Sequence, residues 1–420
     1  MLFKRLLILA VAVAAASVAS AQVLPGVPGV GGTVGGVLSD PLGEVEQTTR
    51  DVSRVSTREL RNARDVAARQ LLRRYPNQID TDPDGAIVVR REIVAIAPSE
   101  AALAAAQARG FTVGAAVESG DLGLNVVVLR APANMPTRRA VELLREIDPD
   151  GAYDYNHIYL GAGDTPSIAK QARDRTGSTA GVRIGLIDSG VDADHPAFAG
   201  ANIQQRGFGG EARVGAHGTA VASLIAGTQG AAPGATLYVA DVYGGAPTGG
   251  GATAIVAALG WLVQSHARVI NISLVGPNNR AVDAAVRAAI ARGAVIVAAV
   301  GNDGPAAAPL YPASYPGVVG VTGVDARNRV LPEAGRGAQV DFAAPGSDFS
   351  AASLGRRYAA IRGTSYAAPI VTGLLARAGG NAAALANDAI DLGPRGADRT
   401  FGAGLVGQDI RDSARRLARR

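Results

Sequence analysis

From Val182 onward the chain alternates two patterns of apolar positions. Short continuous apolar runs, "VRIGLID", "TLYVADVY", "RVINISL", "AVIVAAVG" and "VVGVTGV", read as buried strands. Among them lie longer stretches with helical character: "TAVASLIAG", "ATAIVAALGWLVQSHA", "RAVDAAVRAAIARG" and "YAAPIVTGLLARAG". Strands without polar alternation have no solvent face. The pattern therefore predicts an α/β unit over 181–410, a parallel sheet covered by helices on both faces. Ligands of such sheets bind at the carboxyl ends of the strands.

A second pattern occupies 88–162. "REIVAIA" reads as a strand, and "SEAALAAAQARG" as a helix ending at Gly110. "FTVGAAVE" and "LNVVVLRAP" are two further strands, "TRRAVELLREI" a helix and "GAYDYNHIYL" a last strand. The order βαββαβ predicts a small α+β domain of ferredoxin-like arrangement. Residues 163–180 are a polar connector. Residues 44–75 are Arg-rich and free of Gly and Pro, with a weak apolar stripe at Val45, Val52, Val55, Ala63 and Val66. They predict a solvated helix, or a docking helix for an unknown anionic partner. Residues 22–43 are Gly- and Pro-rich and predict a flexible linker.

Composition narrows the function classes. A chain of 420 residues exceeds one average domain, and 48% hydrophobic residues suit a large core. The net charge of +5 is spread along the chain among acids, and only 4% of residues are aromatic, so nucleic acid is not an expected partner. With no Cys, disulfides, thiolate metal sites and Cys nucleophiles are excluded. The start, "MLFKRLLILAVAVAAASVASAQ", has a basic opening, an apolar run and a small-x-small end at Ala19-Ser20-Ala21. Residues 1–21 thus predict a signal peptide, and a secreted or periplasmic product. The apolar run is shorter than the ~20 residues that span a bilayer; an uncleaved anchor is the other reading.

Three segments put reactive groups at strand ends or helix starts. Asp188 ends the strand of "VRIGLIDSGVDADHP", and His217 opens the helix of "AHGTAVASLIAG". In "IRGTSYAAPIVTGLLA", Pro369 is tolerated only near a helix start, so the helix begins close to Ser365. A Ser hydroxyl needs a base to become a nucleophile, an imidazole supplies one near neutral pH, and a buried carboxylate orients the imidazole. Singly, each of the three is as well read as a helix cap or turn residue. His195 reads as structural, and His157 and His266 as surface or packing residues. Asp192 and Asp194 read as turn residues, so no metal site is expected.

The order Asp, His, Ser comes with "IDSGVDADHP", "HGTAVASLIAG", "VINISLVGP", "AAVGNDGP", "FAAPG", "GTSYAAP" and "FGAGLV". Together, over 180–408, these motifs resemble those of the subtilisin-like (subtilase) serine proteases. The resemblance implies a secreted serine endopeptidase with Asp188, His217 and Ser365 as triad. It implies that Asn302 and the Ser365 N–H hold the oxyanion, and that Gly249, Gly250, Gly251 and Ser273, Leu274, Val275, Gly276 flank a protein or peptide substrate. The domain at 88–162 would be a prodomain, an intramolecular inhibitor whose tail after "YDYNHIYL" enters the cleft. Two departures stand out. "AGTQGAAPGATLYVADVY" leaves no room for the usual calcium loop, so neither metal nor cofactor is expected. Val275 stands where the family usually has Gly, which points to small or medium apolar residues before the cut bond. The alternatives are a catalytically silent binding or scaffold protein, its cleft blocked by the prodomain, and an esterase. The esterase lacks its usual G-x-S-x-G around Ser365.

Overall fold

The computed structural model describes residues 57–162, 168–169 and 179–411. The signal-peptide and linker readings, residues 44–56 and most of the connector lie outside them.

The chain opens with helix α1 (Thr57–Arg74), a short strand β1 (Ile79–Thr81) and the long strand β2 (Ile87–Ile96). Helix α2 (Glu100–Ala108), strands β3 (Thr112–Ala116) and β4 (Val126–Arg130), helix α3 (Thr137–Ile147) and strand β5 (Ala152–His157) follow. β2 lies between β4 and β5, and β3 pairs with β4, all antiparallel. This is the βαββαβ arrangement, with β1 added along the first half of β2. α2 starts at Ser99, whose hydroxyl accepts the Ala102 N–H. Val141 and Leu144 of α3 close the core against Ile93, Leu129 and Tyr153.

After β6 (Leu160–Gly161) and β7 (Ile168–Ala169) comes the larger unit. Its elements are β8 (Arg183–Asp188), β9 (Asn202–Gly207), α4 (Ala216–Ala226), β10 (Thr236–Asp241), α5 (Ala252–Gln264), β11 (Val269–Ile272) and β12 (Leu274–Val275). Then follow α6 (Arg280–Ala291), β13 (Val295–Ala299), β14 (Val319–Val324), β15 (Phe342–Pro345), β16 (Ser347–Ser353), β17 (Arg357–Arg362), α7 (Thr364–Arg377) and α8 (Ala382–Asn387). Seven strands form one parallel sheet in the order β15-β14-β13-β11-β8-β10-β9. Alternate strand residues feed two cores, as the pleat requires. Ile184, Leu186, Val297 and Ala299 face α4 and α7, while Ile187, Ile270, Ile272 and Ile296 face α5 and α6.

The N-terminal domain sits on the starts of α5 and α6, where backbone N–H groups lack partners within the helix. Asp154 Oδ2 accepts the Arg280 N–H at 2.8 Å, and Asn156 Oδ1 accepts the Thr253 N–H at 3.3 Å. These acceptors of β5 thereby complement the positive ends of two helices.

α7 starts at Thr364, close to Ser365 as expected, although Pro369 lies in its interior and not in its first turn. His157 is a packing residue, one of its two expected readings, buried between the domains: Asp82 Oδ2 lies 3.1 Å from its Nε2, and the Asn279 side-chain amide donates to its Nδ1 at 2.9 Å. Two expectations need correction. The sheet has two further strands, polar β9 at the exposed edge and short β15. Over 64–74, where its side chains are described, the Arg-rich helix is not solvated all round but packs one face. Its buried residues Ala67 and Leu71 share one cluster with Ile79, Ile87, Ile158 and Leu160. This stripe is offset from the one expected in the sequence.

Candidate active site

Asp188 ends the central strand β8 and is fully buried. Both its carboxylate oxygens lie 2.9 Å from Nδ1 of His217 in the first turn of α4. The Ser189 N–H also donates to Oδ1, at 2.7 Å. α4 begins this close to β8 because residue 218 is Gly: a Cβ there would meet the Ser189 carbonyl oxygen at 2.2 Å. The imidazole is therefore fixed through Nδ1. His217 Nε2 is buried, with no hydrogen-bond partner among the described residues. On the neighbouring strand Asp241 pairs in register with Asp188. Burial pushes its carboxyl above the usual range, against hydrogen bonds from the Arg213, Gly244 and Tyr243 N–H groups.

Ser365 sits in the first turn of α7, buried, with Tyr366 next to the His217 ring at 5.5 Å between centroids. Its Oγ donates to the Ser273 carbonyl at 3.0 Å, and Ser273 Oγ donates back to the Ser365 carbonyl at 2.9 Å. The return bond explains the interior proline. Pro369 has no N–H for the carbonyl four residues earlier, which is that of Ser365. Ser273 supplies the missing donor, and Asn271 Nδ2 holds the Ser273 hydroxyl at 2.8 Å.

The site holds a segment of the same chain. Residues 158–162 leave β5 and run between the two edges expected to flank a substrate. Ile158 bridges Gly251, and the Tyr159 N–H donates to Gly250 O at 2.9 Å. β6 pairs antiparallel with β12, Gly161 opposite Leu274 and Leu160 opposite Val275. The Ala162 N–H donates to Ser273 O at 3.2 Å. The Ala162 carbonyl oxygen then accepts two hydrogen bonds, from the Ser365 N–H at 3.0 Å and from Nδ2 of Asn302. Asn302 is oriented by its Oδ1, which accepts the Thr364 N–H at 3.1 Å. Gly249 and Gly276 make no backbone bond to the tail; Gly249 packs on Tyr243, and Gly276 exchanges hydrogen bonds with Tyr311.

Several contacts were not foreseen from sequence. The Tyr159 hydroxyl donates to Pro277 O, and the Tyr243 hydroxyl to Tyr159 O, each at 2.9 Å. Arg64 of α1 reaches Asp303, beside Asn302, at 2.7 Å. Burial raises the Asp303 carboxyl above the usual range, and the Arg64 charge works against this. No local signal marks a backbone carbonyl or a long-range ion pair. His195 serves structure alone: its Nδ1 accepts the Ala197 N–H and its Nε2 donates to Arg357 O.

An Asp-His pair, a Ser whose chain neighbour Tyr366 packs on the His ring, and two convergent donors on a peptide carbonyl are suited to acyl transfer. Comparison with known proteins agrees. The profile of the subtilase family matches residues 179–404. Subtilisin E of Bacillus subtilis (strain 168) is 32% identical over 271 residues, covering 59% of this chain and 70% of the relative. Subtilisin Savinase of Lederbergia lenta is 34% identical over 232 residues, covering 51% of this chain and 82% of the relative. Among solved structures, the subtilisin-related fervidolysin from Fervidobacterium pennivorans superposes with a TM-score of 0.65 at 21% identity, over 79% of this chain. The match spans 62% of the fervidolysin chain and speaks to fold. The chain belongs to the subtilase family of serine endopeptidases.

Proposed function

We propose that this endopeptidase is exported as a self-inhibited precursor, that Asp188, His217 and Ser365 are its triad, and that its first substrate is its own Ala162–Gly163 bond. The observation that carries this reading is the Ala162 carbonyl oxygen, which accepts from both the Ser365 N–H and the Asn302 amide. Those donors face the place where negative charge develops when the carbonyl carbon turns tetrahedral. Residues 57–162 act as the inhibitory prosegment, and residues 1–21 direct export.

In the reaction Ser365 Oγ rotates from Ser273 O toward His217 Nε2, which takes its proton. A bond forms between Oγ and the Ala162 carbonyl carbon. The bond to the Gly163 nitrogen breaks, and His217 returns the proton to that amine. Asp188 holds the imidazole tautomer and stabilises the imidazolium. Water, giving its proton to His217, then hydrolyses the ester. The tail stays in the cleft as a product, because its strand pairing does not depend on the severed bond.

The test is the mature N-terminus. Purified full-length chain should yield Gly163 as its new first residue by mass spectrometry, and a fluorophosphonate should label Ser365. Ser365→Ala should remain uncut and unlabelled. Processing of the Ala variant at the same bond in a purified system would defeat the assignment.

A further inference from the structure

The two donors on the Ala162 carbonyl come from different elements. The Ser365 N–H belongs to the start of α7, and Asn302 to the loop after β13. Their spacing therefore depends on how loop and helix are joined. The loop has soft ends: Gly301 and Gly304 both lie at φ 94°, in the left-handed region that glycine enters freely. Thr364 ties the first end, its hydroxyl oxygen accepting the Gly301 N–H at 3.2 Å. A turn at 331–335 ties both ends. The Gly335 N–H donates to Gly301 O at 3.0 Å, and the Gly304 N–H donates to Glu333 O at 2.7 Å. Glu333 also reaches the other donor's element. Its side chain is only 4% exposed; Arg362 Nη2 donates to its Oε2 at 2.8 Å, and Arg362 Nε lies 2.7 Å from its Oε1. Arg362 ends β17, three residues before Ser365. A buried carboxylate parted from its cation is costly, so this pair pins the turn to β17. Arg64 ties Asp303 in the precursor but belongs to the prosegment. Glu333 belongs to the catalytic unit and stays when the prosegment leaves.

We propose that Glu333 is a positioning residue for peptide-bond cleavage, its carboxylate on Arg362 and its carbonyl on Gly304 together fixing the distance between the Asn302 amide and the Ser365 N–H. The proposal rests on the reading of those two groups as the oxyanion donors. Their spacing counts most in the transition state, where the carbonyl oxygen carries a charge that it lacks in the bound substrate. Binding of the substrate itself draws on strand bonds at Gly250 and 273–275, which a change at Glu333 leaves in place. The effect therefore falls on kcat, and it passes through Asn302.

The experiment is a double-mutant cycle on enzyme matured from the full chain, assayed with a quenched-fluorescence peptide containing Tyr-Leu-Gly-Ala-Gly. Competent sites are counted with a fluorophosphonate, so unfolded or unmatured chains do not enter kcat. Glu333→Ala should lower kcat by about tenfold, the scale of a sub-ångström misplacement, and leave KM within about twofold. Glu333→Gln, which keeps an acceptor for Arg362, should recover most of the loss. In an Asn302→Ala background Glu333→Ala should cost less than about twofold more, because the group it positions is already gone. A merely structural role predicts instead that the two losses multiply. An unchanged kcat, a fall confined to KM, or full multiplication with Asn302→Ala overturns the proposal. If Glu333→Ala does not fold, Arg362→Ala breaks the same pair from the other side and is read by the same cycle. If Asn302→Ala alone leaves kcat unchanged, the oxyanion reading beneath the proposal fails; if Asn302→Ala lowers kcat and Glu333→Ala does not, the proposal alone fails.

Discussion

Arg64→Ala should loosen α1 from the rest of the chain in a pH-dependent way. Arg64 Nη2 lies 2.7 Å from Asp303 Oδ2, and the two side chains are 28% and 16% exposed. Exposed pairs contribute about 0–1 kcal/mol, and breaking a fully buried pair costs about 3–5 kcal/mol. This pair lies between those limits, so its loss should cost about 1–3 kcal/mol of docking at pH 8. The pH sign follows from Asp303. Burial raises its carboxyl in the docked state, and Arg64 opposes the rise. A raised carboxyl supports docking fully below the ordinary carboxylate range. That support is lost as pH rises through the raised value. Without Arg64 the value climbs further, so the penalty is small near pH 4 and grows toward pH 8. The assay is amide hydrogen exchange of α1 in the Ser365→Ala chain, corrected for intrinsic rates, since local opening is what the pair resists. Protection around Ala67–Leu72 should fall by about 5- to 150-fold at pH 8. Arg64→Ala combined with Asp303→Asn should recover most of it. A loss of equal size at both pH values, or no recovery in the double variant, would refute the electrostatic argument.

Asn302→Ala should fold, keep KM and lose about 10²–10³ in kcat, because the proposed mechanism gives the oxyanion two donors and this removes one; a change confined to KM would assign it to substrate binding. A chelator should lower the melting temperature of mature enzyme by less than about 5 °C, since a bound ion would otherwise stabilise by mass action; a larger drop reversed by calcium would reveal an ion site. Val275→Gly should raise kcat/KM for Phe relative to Ala immediately before the cut bond. Val275 pairs with Leu160, and Ala162, two residues on, shares that face and the same hydrophobic cluster as Val275. An unchanged Phe/Ala ratio in a peptide library would remove Val275 as the gate.

The sheet was readable because its strands are buried on both faces, which erases polar alternation and leaves runs such as "VRIGLID". β9 escaped for the converse reason: as an edge strand with mostly exposed residues, "NIQQRG" has no apolar run to mark it. β15, "FAAP", is too short, and its Ala and Pro carry little strand preference. α1 was visible as a helix, but its packing face was not. The buried positions Ala67 and Leu71 are four apart, among Arg residues whose long stems blur the stripe.

Asp188, His217, Ser365 and Asn302 stand out in the sequence because each proposed role needs a particular side chain, and each stands beside a Gly or at an element's end. The rest of the site is made of backbone, which leaves no trace in residue type. Ser273 shows where the two kinds of information meet. Its carbonyl accepts from both Ala162 N and Ser365 Oγ, while its hydroxyl serves the Ser365 carbonyl that Pro369 leaves without a helical partner. A proline inside α7 and a serine on the strand edge, 96 residues before it, are thus halves of one local solution. The proline frees a carbonyl at the helix start, and the serine that answers it also anchors the strand edge beside the tail. Read alone, Pro369 marked the helix start; read with Ser273, it shows why the start of α7 stays in register with the edge that grips the peptide.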